Sequence, residues 1–368
     1  MKITLVIHAL PGGGTGRVLT YMANYWANRG HHVTILTLEK RGSPFYPLSD
    51  SVEWTALNIS SNSTNLVEGL LKNLRRIYLL RKAILKSTPD CIISFVFTTN
   101  MLILLATRFI NSPLIISERN HPGYGTRKRL AWYWLRRILY PLADHLVVQT
   151  REIKDWFHRY NNSIHIIANP VRTVQEVAET SSEVTLPSGK SIVAMGQLSP
   201  QKGFDLLLKV FAKIHQTYQE WNLIILGTGP MKEELVSQAG QLGIEKYLHL
   251  PGMVTNPLSV LKKCDLFVLS SRYEGLPNVL LEAMACGLPV VSFDCPSGPS
   301  EVIRDKVNGL LVPLKDLDAL KDAIENLIKD EKLRLSLGRE AVKVQDKFSL
   351  EKVMSQWNNL LHKYSLTR

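Results

Sequence analysis

Short apolar runs alternate with amphipathic runs over most of the chain, and this alternation is the feature that most constrains the fold. The apolar runs KITLVIHAL, HHVTILTLE and CIISFVF in the first half, and IVAMGQL, NLIILGTGP and DLFVLSS in the second, are typical of strands. Helical runs such as GRVLTYMANYWANRG and GFDLLLKVFAKIHQTY lie between them. Strands that alternate with helices predict parallel sheets covered on both faces.

The pattern is interrupted once, which indicates two domains. The polar, turn-rich segment VTLPSGKS separates the two halves, and a chain of 368 residues corresponds to about two domains. The sequence therefore predicts an α/β protein with two Rossmann-like, doubly wound domains, at residues 1–170 and 187–349. The last amphipathic run, within residues 350–368, comes too late for the second sheet, and we expect it to cross back onto the first domain.

Nothing in the sequence is typical of export or membrane insertion. The N-terminal run MKITLVIHAL lacks a small-x-small cleavage site, and the most apolar stretch, Cys91–Ala106, is shorter than the roughly 20 residues of a spanning helix. The four cysteines form no C-x-x-C pair, which favours free thiols in a reducing compartment over disulfides or zinc. We therefore expect a cytoplasmic protein.

The positive charge lies entirely in the first half. Residues 1–168 contain 21 Lys and Arg against 9 Asp and Glu, whereas residues 169–368 contain 23 of each sign, so the first half carries the net charge of +12. A nucleic acid, a membrane surface or an anionic ligand would each suit such a half. Because no recognised nucleic-acid-binding module occurs, we expect no nucleic-acid partner.

A glycine-rich segment, PGGGTGRV, lies between the first predicted strand and the first predicted helix. Glycines at such a place let backbone N–H groups approach an anion at a helix N-terminus. Gly12 and Gly14 fit the first two positions of the G-x-G-x-x-G dinucleotide fingerprint, but Arg17 occupies the last. A nicotinamide-dependent dehydrogenase is therefore one alternative, and a tight turn without a ligand is another.

Two segments of the second half place charged residues after predicted strands. Lys202, in MGQLSPQKGFD, precedes a helix at the sheet edge where open α/β sheets bind ligands. Glu274 lies on the turn RYEGLP, and Glu282 lies in the helical run NVLLEAMACG that follows, where we expect Asn278 to act as the N-cap. The two carboxylates suit an acid–base pair, as in glycoside hydrolysis, or acceptors for vicinal hydroxyls. An ordinary glutamate on a helix surface is the alternative for Glu282.

Several segments, in order along the chain, resemble the retaining glycosyltransferases of family 4, which have the GT-B fold. Glu274 and Glu282 match the E-x7-E motif of that family, GGGTGRV matches its Gly-Gly loop, and GQLSPQKG matches its phosphate-clamp segment. GTGP, PGMV and EGLPNVLLEAMACGLPVV also match, and the resemblance covers nearly the whole chain. It is similar in particular to bacterial N-acetylgalactosaminyltransferases that extend lipid-linked glycans. The resemblance implies two Rossmann-like domains that face a cleft.

The resemblance also implies roles for individual residues. Glu282 would accept hydrogen bonds from the ribose hydroxyls, Glu274 would orient the donor sugar, and Lys202 would stabilise the departing diphosphate, so that Glu274 and Lys202 are the catalytic candidates. The donor-binding candidates are Gly13, Gly14, Gln197, Lys202, Val254, Gly275, Leu276, Asn278 and Glu282. The acceptor-binding candidates in the first domain are Arg17, Arg119 and His121.

The sequence departs from the family pattern at three places. Gln197 stands where the family usually has an arginine, so other groups must stabilise more of the departing diphosphate. Gly16 stands where a glutamate often follows the Gly-Gly loop. Arg119 follows Glu118 where the family often has a histidine, and His121 comes later, which opens the assignment of the acceptor side.

The resemblance implies a retaining, metal-independent glycosyltransferase of the hexosyltransferase class. It would move a hexose or N-acetylhexosamine from a nucleoside diphosphate, with UDP expected, to a glycan acceptor, expected to be lipid-linked, in bacterial polysaccharide or glycoconjugate synthesis. No cofactor or metal is expected, because the D-x-D pair Asp316 and Asp318 lies at a helix start and suits a cap. A nucleotide-sugar epimerase of the same fold, a nicotinamide-dependent dehydrogenase and a non-catalytic carbohydrate-binding protein are the alternatives.

Two basic helical runs indicate where the chain meets a membrane. In RKRLAWYWLRRILY, basic residues flank aromatic ones, a combination that suits a membrane surface. The basic residues of that run are Arg127, Lys128, Arg129, Arg136 and Arg137. The run Lys72–Lys86 carries five cations within about 120° of a helix, and it is our candidate for gripping the pyrophosphate of the acceptor. We expect a peripheral protein on the inner face of the cell membrane, bound to anionic lipids, whereas a solvated basic face is the alternative.

Overall fold

The computed structural model describes residues 1–10, 14–40, 42, 44–60, 65–125, 130–171 and 184–365. The chain divides into two compact units, Met1–Ala168 with Val353–Arg368, and Asn169–Lys352. Each unit contains one sheet of parallel strands. The predicted α/β class with two doubly wound sheets is therefore confirmed.

The sheet of the first unit has seven strands. In chain order these are β1 Lys2–Ile7, β2 His32–Thr37, β3 Val52–Ala56, β4 Cys91–Phe95, β5 Leu114–Ser117, β6 His145–Val148 and β7 Ile164–Ile166. Their spatial order is β3-β2-β1-β4-β5-β6-β7, and every neighbouring pair is parallel. Because both faces of such a sheet are covered, five of the six residues of β1 are buried, and the strand reads as a continuous apolar run.

The helices of the first unit connect and cover these strands. They are α1 Gly14–Ala27, α2 Leu66–Ser87, α3 Phe97–Ala106, α4 Pro122–Gly125, α5 Leu130–Leu139 and α6 Arg151–Phe157. Local sequence sets two of their starts, since Asn65 caps α2 through the N–H of Glu68 and Thr150 caps α6 through the N–H of Ile153. Buried side chains of β4, α3 and β6 contribute to one hydrophobic core of this unit.

The sheet of the second unit has six strands. They are β8 Lys190–Met195, β9 Trp221–Leu226, β10 Leu248–Gly252, β11 Leu266–Leu269, β12 Val290–Asp294 and β13 Leu310–Pro313. Their spatial order is β10-β9-β8-β11-β12-β13, and every neighbouring pair is again parallel. This is the strand order of a dinucleotide-binding Rossmann sheet.

The helices of the second unit follow the same alternation. They are α7 Phe204–His215, α8 Lys232–Gln241, α9 Pro257–Leu261, α10 Asn278–Ala285, α11 Pro299–Val302, α12 Leu317–Lys329, α13 Glu331–Ala341 and α14 Gln345–Phe348. The core joins the buried faces of α7 and α12 to the sheet. Asp316 caps α12 by accepting from the N–H of Ala319 at 2.9 Å, as predicted.

The last helix, α15 Leu350–Ser365, belongs to the first unit from Val353 onward. Trp357 is fully buried there, with its ring centroid 6.4 Å from that of Trp26 and 6.5 Å from that of Phe95. Trp26 Nε1 donates to Asn358 Oδ1 at 2.9 Å. Aromatic packing and a side-chain hydrogen bond therefore hold this helix to α1 and β4.

All four cysteines are free. No helix in the described part of the chain combines the length and the apolar character that crossing a bilayer requires.

Candidate functional site

In the second unit, the strand order reverses between β8 and β11. The chain runs outward from β8 to β10 and then returns to β11 on the other side of β8. Loops at the carboxyl ends of these two neighbouring strands carry Lys202 and Glu274. A crevice outside the carboxyl ends of the strands at such a reversal is where open α/β sheets bind ligands.

Lys202 ends the short 3-10 turn Pro200–Lys202 that follows β8. Its stem lies over Gly196, where a Cβ would come within 3.0 Å of Lys202 Cε. Lys202 Nζ donates to Glu274 Oε1 at 2.6 Å, and only 16% and 7% of the two side chains are exposed. The structure therefore brings the two catalytic candidates into direct contact.

Glu274 is held by its own turn and by the loop after β12. Its Oε1 also accepts a hydrogen bond from Ser271 Oγ at 2.6 Å, and its N–H donates to the carbonyl of Pro296 at 3.3 Å. That loop fits tightly, because a Cβ on Gly298 (φ +128°) would overlap the carbonyl oxygen of Gly275. The pair thus places the Glu274 carboxylate, which can accept hydrogen bonds, beside the Lys202 ammonium, which can bind an anion.

Glu282 lies on the second turn of α10 and is buried. A glutamate on an ordinary helix surface would be exposed, so that alternative is wrong for this residue. A buried glutamate on the helix that follows the Glu274 turn is therefore consistent with a ligand-binding role.

The other donor-binding candidates have different surroundings. Val254, Gly275 and Leu276 are buried, and Gln197 is exposed. Asn278 is the first residue of α10, and its Oδ1 accepts from Asn169 Nδ2 at 2.6 Å. The N-cap position is Pro277, without a side-chain cap, so the capping role expected for Asn278 is wrong. Of the two glycines of the first-half loop, Gly14 begins α1, and Gly13 lies outside the described residues.

Sequence reasoning missed an ion pair beside this site. Arg272 Nη1 and Nη2 donate to Asp205 Oδ1 and Oδ2 at 2.8 and 2.7 Å, in the two-pronged geometry of a guanidinium on a carboxylate. Burial alone would raise the pKa of Asp205, but the hydrogen bonds and charge of Arg272 outweigh it and hold that pKa below its ordinary value. The only sequence signal is that both residues lie within three positions of a singled-out residue, Lys202 or Glu274.

The three acceptor-binding candidates are buried in the first unit. The guanidinium carbon of Arg17 lies 5.7 Å from the ring centroid of Tyr46, and that of Arg119 lies 4.9 Å from that of Phe95. Burial lowers the pKa of Arg119 to about 9. Arg119 lies two residues after the end of β5, at the carboxyl edge of the first sheet.

His121 makes two contacts that define its protonation. Its Nδ1 accepts the N–H of Gly123 at 3.1 Å, and its Nε2 lies 3.5 Å from Glu152 Oε1. The neutral ring therefore carries its proton on Nε2, facing the carboxylate. Burial lowers the pKa of His121, and Glu152 opposes that shift.

Glu118 lies at the centre of a buried polar group beside Arg119. Tyr140 Oη donates to Glu118 Oε1, and Asn100 Nδ2 donates to the same oxygen at 3.4 Å. Burial raises the pKa of Glu118, and Arg136, Tyr140 and Asn100 oppose that shift. These contacts fix the loop that carries Arg119 and His121.

Val96 joins β4 to α3 at the same edge of the first sheet, with a φ of +73°. A β-branched residue in this region is strained, and such residues cluster at functional sites. Its N–H donates to the carbonyl of Ser117 at 3.3 Å, which ties the junction to β5. The strain adds support for a site at this edge, and no sequence signal announced it.

The basic helices differ in part from expectation. Arg136 is buried, with its guanidinium carbon 3.9 Å from the ring centroid of Phe97, so its assignment to an exposed basic face is wrong. Trp132 packs against the core, whereas Trp134 is 52% exposed. Arg127, Lys128 and Arg129 lie outside the described residues.

One face of α2, between Val67 and Tyr78, presents a row of exposed apolar side chains. At 100° per residue they fall within an arc of about 100°. Each is 55–70% exposed, and together they form the α2 stripe: Val67, Leu70, Leu71, Leu74 and Tyr78. Exposed Arg75, Lys82 and Lys86 flank the stripe on one side. The stripe is therefore exposed, whereas Leu80 and Ile84 further along the helix are buried in the core.

Metal coordination is not evident in the described part of the chain, where no three His, Cys, Asp or Glu side chains come together as metal ligands. Asp318 pairs with Lys213 at 2.9 Å, and Asp316 is the helix cap described above. Metal independence stays a prediction.

Comparison with known proteins decides the family. A family model described as glycosyl transferases group 1 matches residues 179–344, and one described as a glycosyl transferase 4-like domain matches residues 13–170. A Campylobacter jejuni protein is 30% identical over 98% of this chain and 98% of its own length. Its name is GalNAc-alpha-(1->4)-GalNAc-alpha-(1->3)-diNAcBac-PP-undecaprenol alpha-1,4-N-acetyl-D-galactosaminyltransferase. The chain belongs to the group 1 glycosyltransferases.

Solved structures agree on the fold of this glycosyltransferase. Sucrose-phosphate synthase from Thermosynechococcus elongatus superposes with a TM-score of 0.85 at 18% identity, over 100% of this chain and 99% of that one. TarM from S. aureus, in a complex with UDP, superposes with a TM-score of 0.77 at 16% identity, over 98% of this chain and 100% of that one. The predicted GT-B class is confirmed, and the family leaves the epimerase and dehydrogenase alternatives without support.

Proposed function

We propose that this glycosyltransferase moves a hexose or N-acetylhexosamine from UDP to a lipid-linked glycan, with retention at the anomeric carbon and without a metal ion. The buried Lys202–Glu274 pair at the strand reversal, with Glu282 on the next helix, carries the proposal. The name of the Campylobacter relative specifies an undecaprenol-diphosphate-linked acceptor. The solved structures of TarM and of HepE from Anabaena include complexes with UDP, which supports UDP as the nucleotide.

Each residue of the site has a distinct task in this proposal. Glu282 accepts hydrogen bonds from the ribose, and Glu274 accepts them from the donor sugar. The C1–O bond to the diphosphate breaks while a bond from C1 to the acceptor oxygen forms on the same face. The acceptor proton passes to the departing diphosphate, whose growing charge the ammonium of Lys202 stabilises. Preorganised groups that stabilise a developing charge usually make the largest single contribution to enzyme catalysis.

A product assay tests the proposal. The protein is incubated with UDP-N-acetylgalactosamine, UDP-N-acetylglucosamine, UDP-glucose or GDP-mannose and an undecaprenyl-diphosphate-linked oligosaccharide, in the presence of EDTA. We expect turnover with one UDP-sugar and, by NMR, a new linkage with the anomeric configuration of the donor. Turnover with GDP-mannose alone, or an inverted linkage, would contradict the proposal.

The first unit docks, in the same proposal, on an anionic membrane that carries the acceptor. The α2 stripe supplies apolar area, and Arg75, Lys82 and Lys86 beside it supply charge, each contributing about 1 kcal/mol near anionic lipid. Trp134, with Arg137 over its ring at 5.8 Å, offers a second interfacial contact on α5. Such attachment is reversible and salt-sensitive, because surface charges are screened over about 8 Å at physiological ionic strength.

Liposome flotation tests the docking. Wild type should float with vesicles that contain phosphatidylglycerol and not with neutral vesicles, and high salt should release it. Changing Leu70, Leu71 and Leu74 to Ser should abolish flotation. Leu335→Ser on α13 is the matched control, because Leu335 is 54% exposed but lies in the second unit, and it should float normally. Wild type that stays at the bottom with anionic vesicles at low salt would end the docking proposal.

A further inference from the structure

We infer that Asp205 and Arg272 are positioning residues that set the separation of Lys202 from Glu274, and with it the rate of glycosyl transfer. The inference rests on the roles proposed above for Lys202 and Glu274, and it adds the contacts that hold these two side chains at a fixed distance. Neither Asp205 nor Arg272 contacts the reacting atoms in this scheme. They act on the two loops that carry the catalytic pair.

The sheet alone does not hold these loops together. β8 and β11 pair only at Ile192 with Leu266 and at Val193 with Phe267. Lys202 and Glu274 both lie well beyond these pairs, on loops that leave the sheet. Contacts between the loops themselves must therefore fix the 2.6 Å contact between Nζ and Oε1.

Arg272 supplies most of these contacts. Its Nη1 and Nη2 donate to the two carboxylate oxygens of Asp205, in the first turn of α7. Its Nη1 also donates to the carbonyl of Pro200 at 2.6 Å. Its backbone N–H donates to the carbonyl of Gln201 at 2.8 Å. Arg272 thus contacts Pro200 and Gln201 in the turn that carries Lys202, and Asp205 in the helix that follows it.

Two reciprocal contacts complete the connection. Gln201 Nε2 donates to the carbonyl of Tyr273 at 3.0 Å, and Ser270 Oγ donates to the carbonyl of Lys202 at 2.9 Å. Gly203 has a φ of +64°, and a Cβ there would overlap the carbonyl oxygen of Ser270. The loops are therefore packed backbone to backbone, and the Lys202 turn has little freedom to shift.

The geometry separates positioning from binding. Both terminal nitrogens of Arg272 already donate to Asp205 or Pro200, whereas the ammonium of Lys202 has three N–H donors and can keep its contact with Glu274 while it meets a diphosphate. Glu282, the proposed ribose ligand, is carried separately on α10. Loosening the Arg272 contacts should therefore lower kcat and leave nucleotide affinity nearly unchanged. Misplacing a catalytic group by about 1 Å can cost up to 100-fold in rate.

A double-mutant cycle tests the inference. Arg272→Lys keeps the charge but loses the fork, and we expect kcat to fall about 10- to 100-fold with the Kd for UDP within about twofold of wild type. In a Lys202→Ala background the same change should cost little more, because the group that it positions is already gone. Asp205→Asn, which keeps the size of the side chain, should reproduce the loss and provides a second variant if Arg272→Lys does not fold.

Controls and contrary outcomes separate this inference from the proposed function. Lys213→Ala removes an exposed ion pair at the other end of α7 and should leave kcat unchanged. If Arg272→Lys and Asp205→Asn fold and turn over like wild type, or if their losses are fully additive with that of Lys202→Ala, the positioning role is wrong although Lys202 keeps its own. If Lys202→Ala itself turns over like wild type, the proposed role of Lys202 fails, and the positioning role fails with it.

Discussion

Lys202 offers the sharpest test of the site, because its removal affects stability and chemistry by separable amounts. Breaking a fully buried ion pair by removing one partner costs about 3–5 kcal/mol. Lys202 keeps 16% exposure, and Ser271 still donates to Glu274 after the change, so we expect Lys202→Ala to cost roughly 2–3 kcal/mol of unfolding free energy. For a unit of this size that corresponds to a fall in Tm of about 5–10 °C, measurable by calorimetry.

The catalytic effect should be larger than the loss of stability explains. Removing one preorganised stabiliser of developing charge lowers kcat by about 10²–10³. The assay is run at saturating donor and well below the Tm of the variant, so that every molecule is folded. Lys202→Met is the matched variant, because an unbranched side chain can still cover Gly196. It should recover part of the stability and none of the turnover.

Two results would refute this reasoning. Wild-type kcat for a folded Lys202→Ala protein at saturating donor would show that the ammonium does not stabilise the departing diphosphate. Recovery of turnover in Lys202→Met would show that the stem, and not the charge, matters for chemistry.

Other properties of the site can be checked in the same way. Glu282→Ala should weaken UDP binding by about 1.5–3 kcal/mol, the scale of a hydrogen bond to a charged group, and unchanged affinity in titration calorimetry would remove the ribose role. Turnover should persist in EDTA, and activity that returns only with Mg²⁺ or Mn²⁺ would contradict the metal-free scheme. Burial lowers the pKa of His121 below its ordinary 6.5, so the unfolded chain binds that proton more readily and stability falls as the pH drops through about 6.5. His121→Gln should flatten this fall in urea denaturation between pH 7 and pH 5, and an identical pH dependence would disprove the assignment.

The fold was predictable because its signals are local. Each strand of a doubly wound sheet is a short apolar run, and each crossover helix shows its own periodicity, so element type can be read without knowing what packs against what. The places of Lys202 and Glu274 followed from the same rules, since ligands meet open sheets at the carboxyl ends of strands. The capping role of Asp316 needed only its position before an amphipathic run.

Predictions failed where tertiary packing overrides a local signal. Arg136 belongs to a basic cluster in the sequence, yet the ring of Phe97 covers it. Asn278 is a favourable cap residue, but Pro277 takes the cap position and Asn278 bonds to Asn169 instead. The α2 stripe has the periodicity of a core face, and only the structure shows that it is exposed. Helical periodicity defines a face, but it does not say what covers that face.

The Asp205–Arg272 pair shows that sequence motifs alone do not define the geometry of a site. Lys202 and Glu274 each belong to a recognisable segment, but the atoms that fix their 2.6 Å contact come from residues 67 positions apart in the chain. Neither partner has a distinctive neighbourhood in the sequence, because an aspartate in the first turn of a helix is common and an arginine on a loop is usually solvated. Their positioning role depends on the fold, because they come together only where β8 and β11 are neighbours and the two loops leave the sheet side by side. A chain that carried both motifs without this pair would still place the Lys202 ammonium and the Glu274 carboxylate at the strand ends. The distance between the two groups would no longer be fixed.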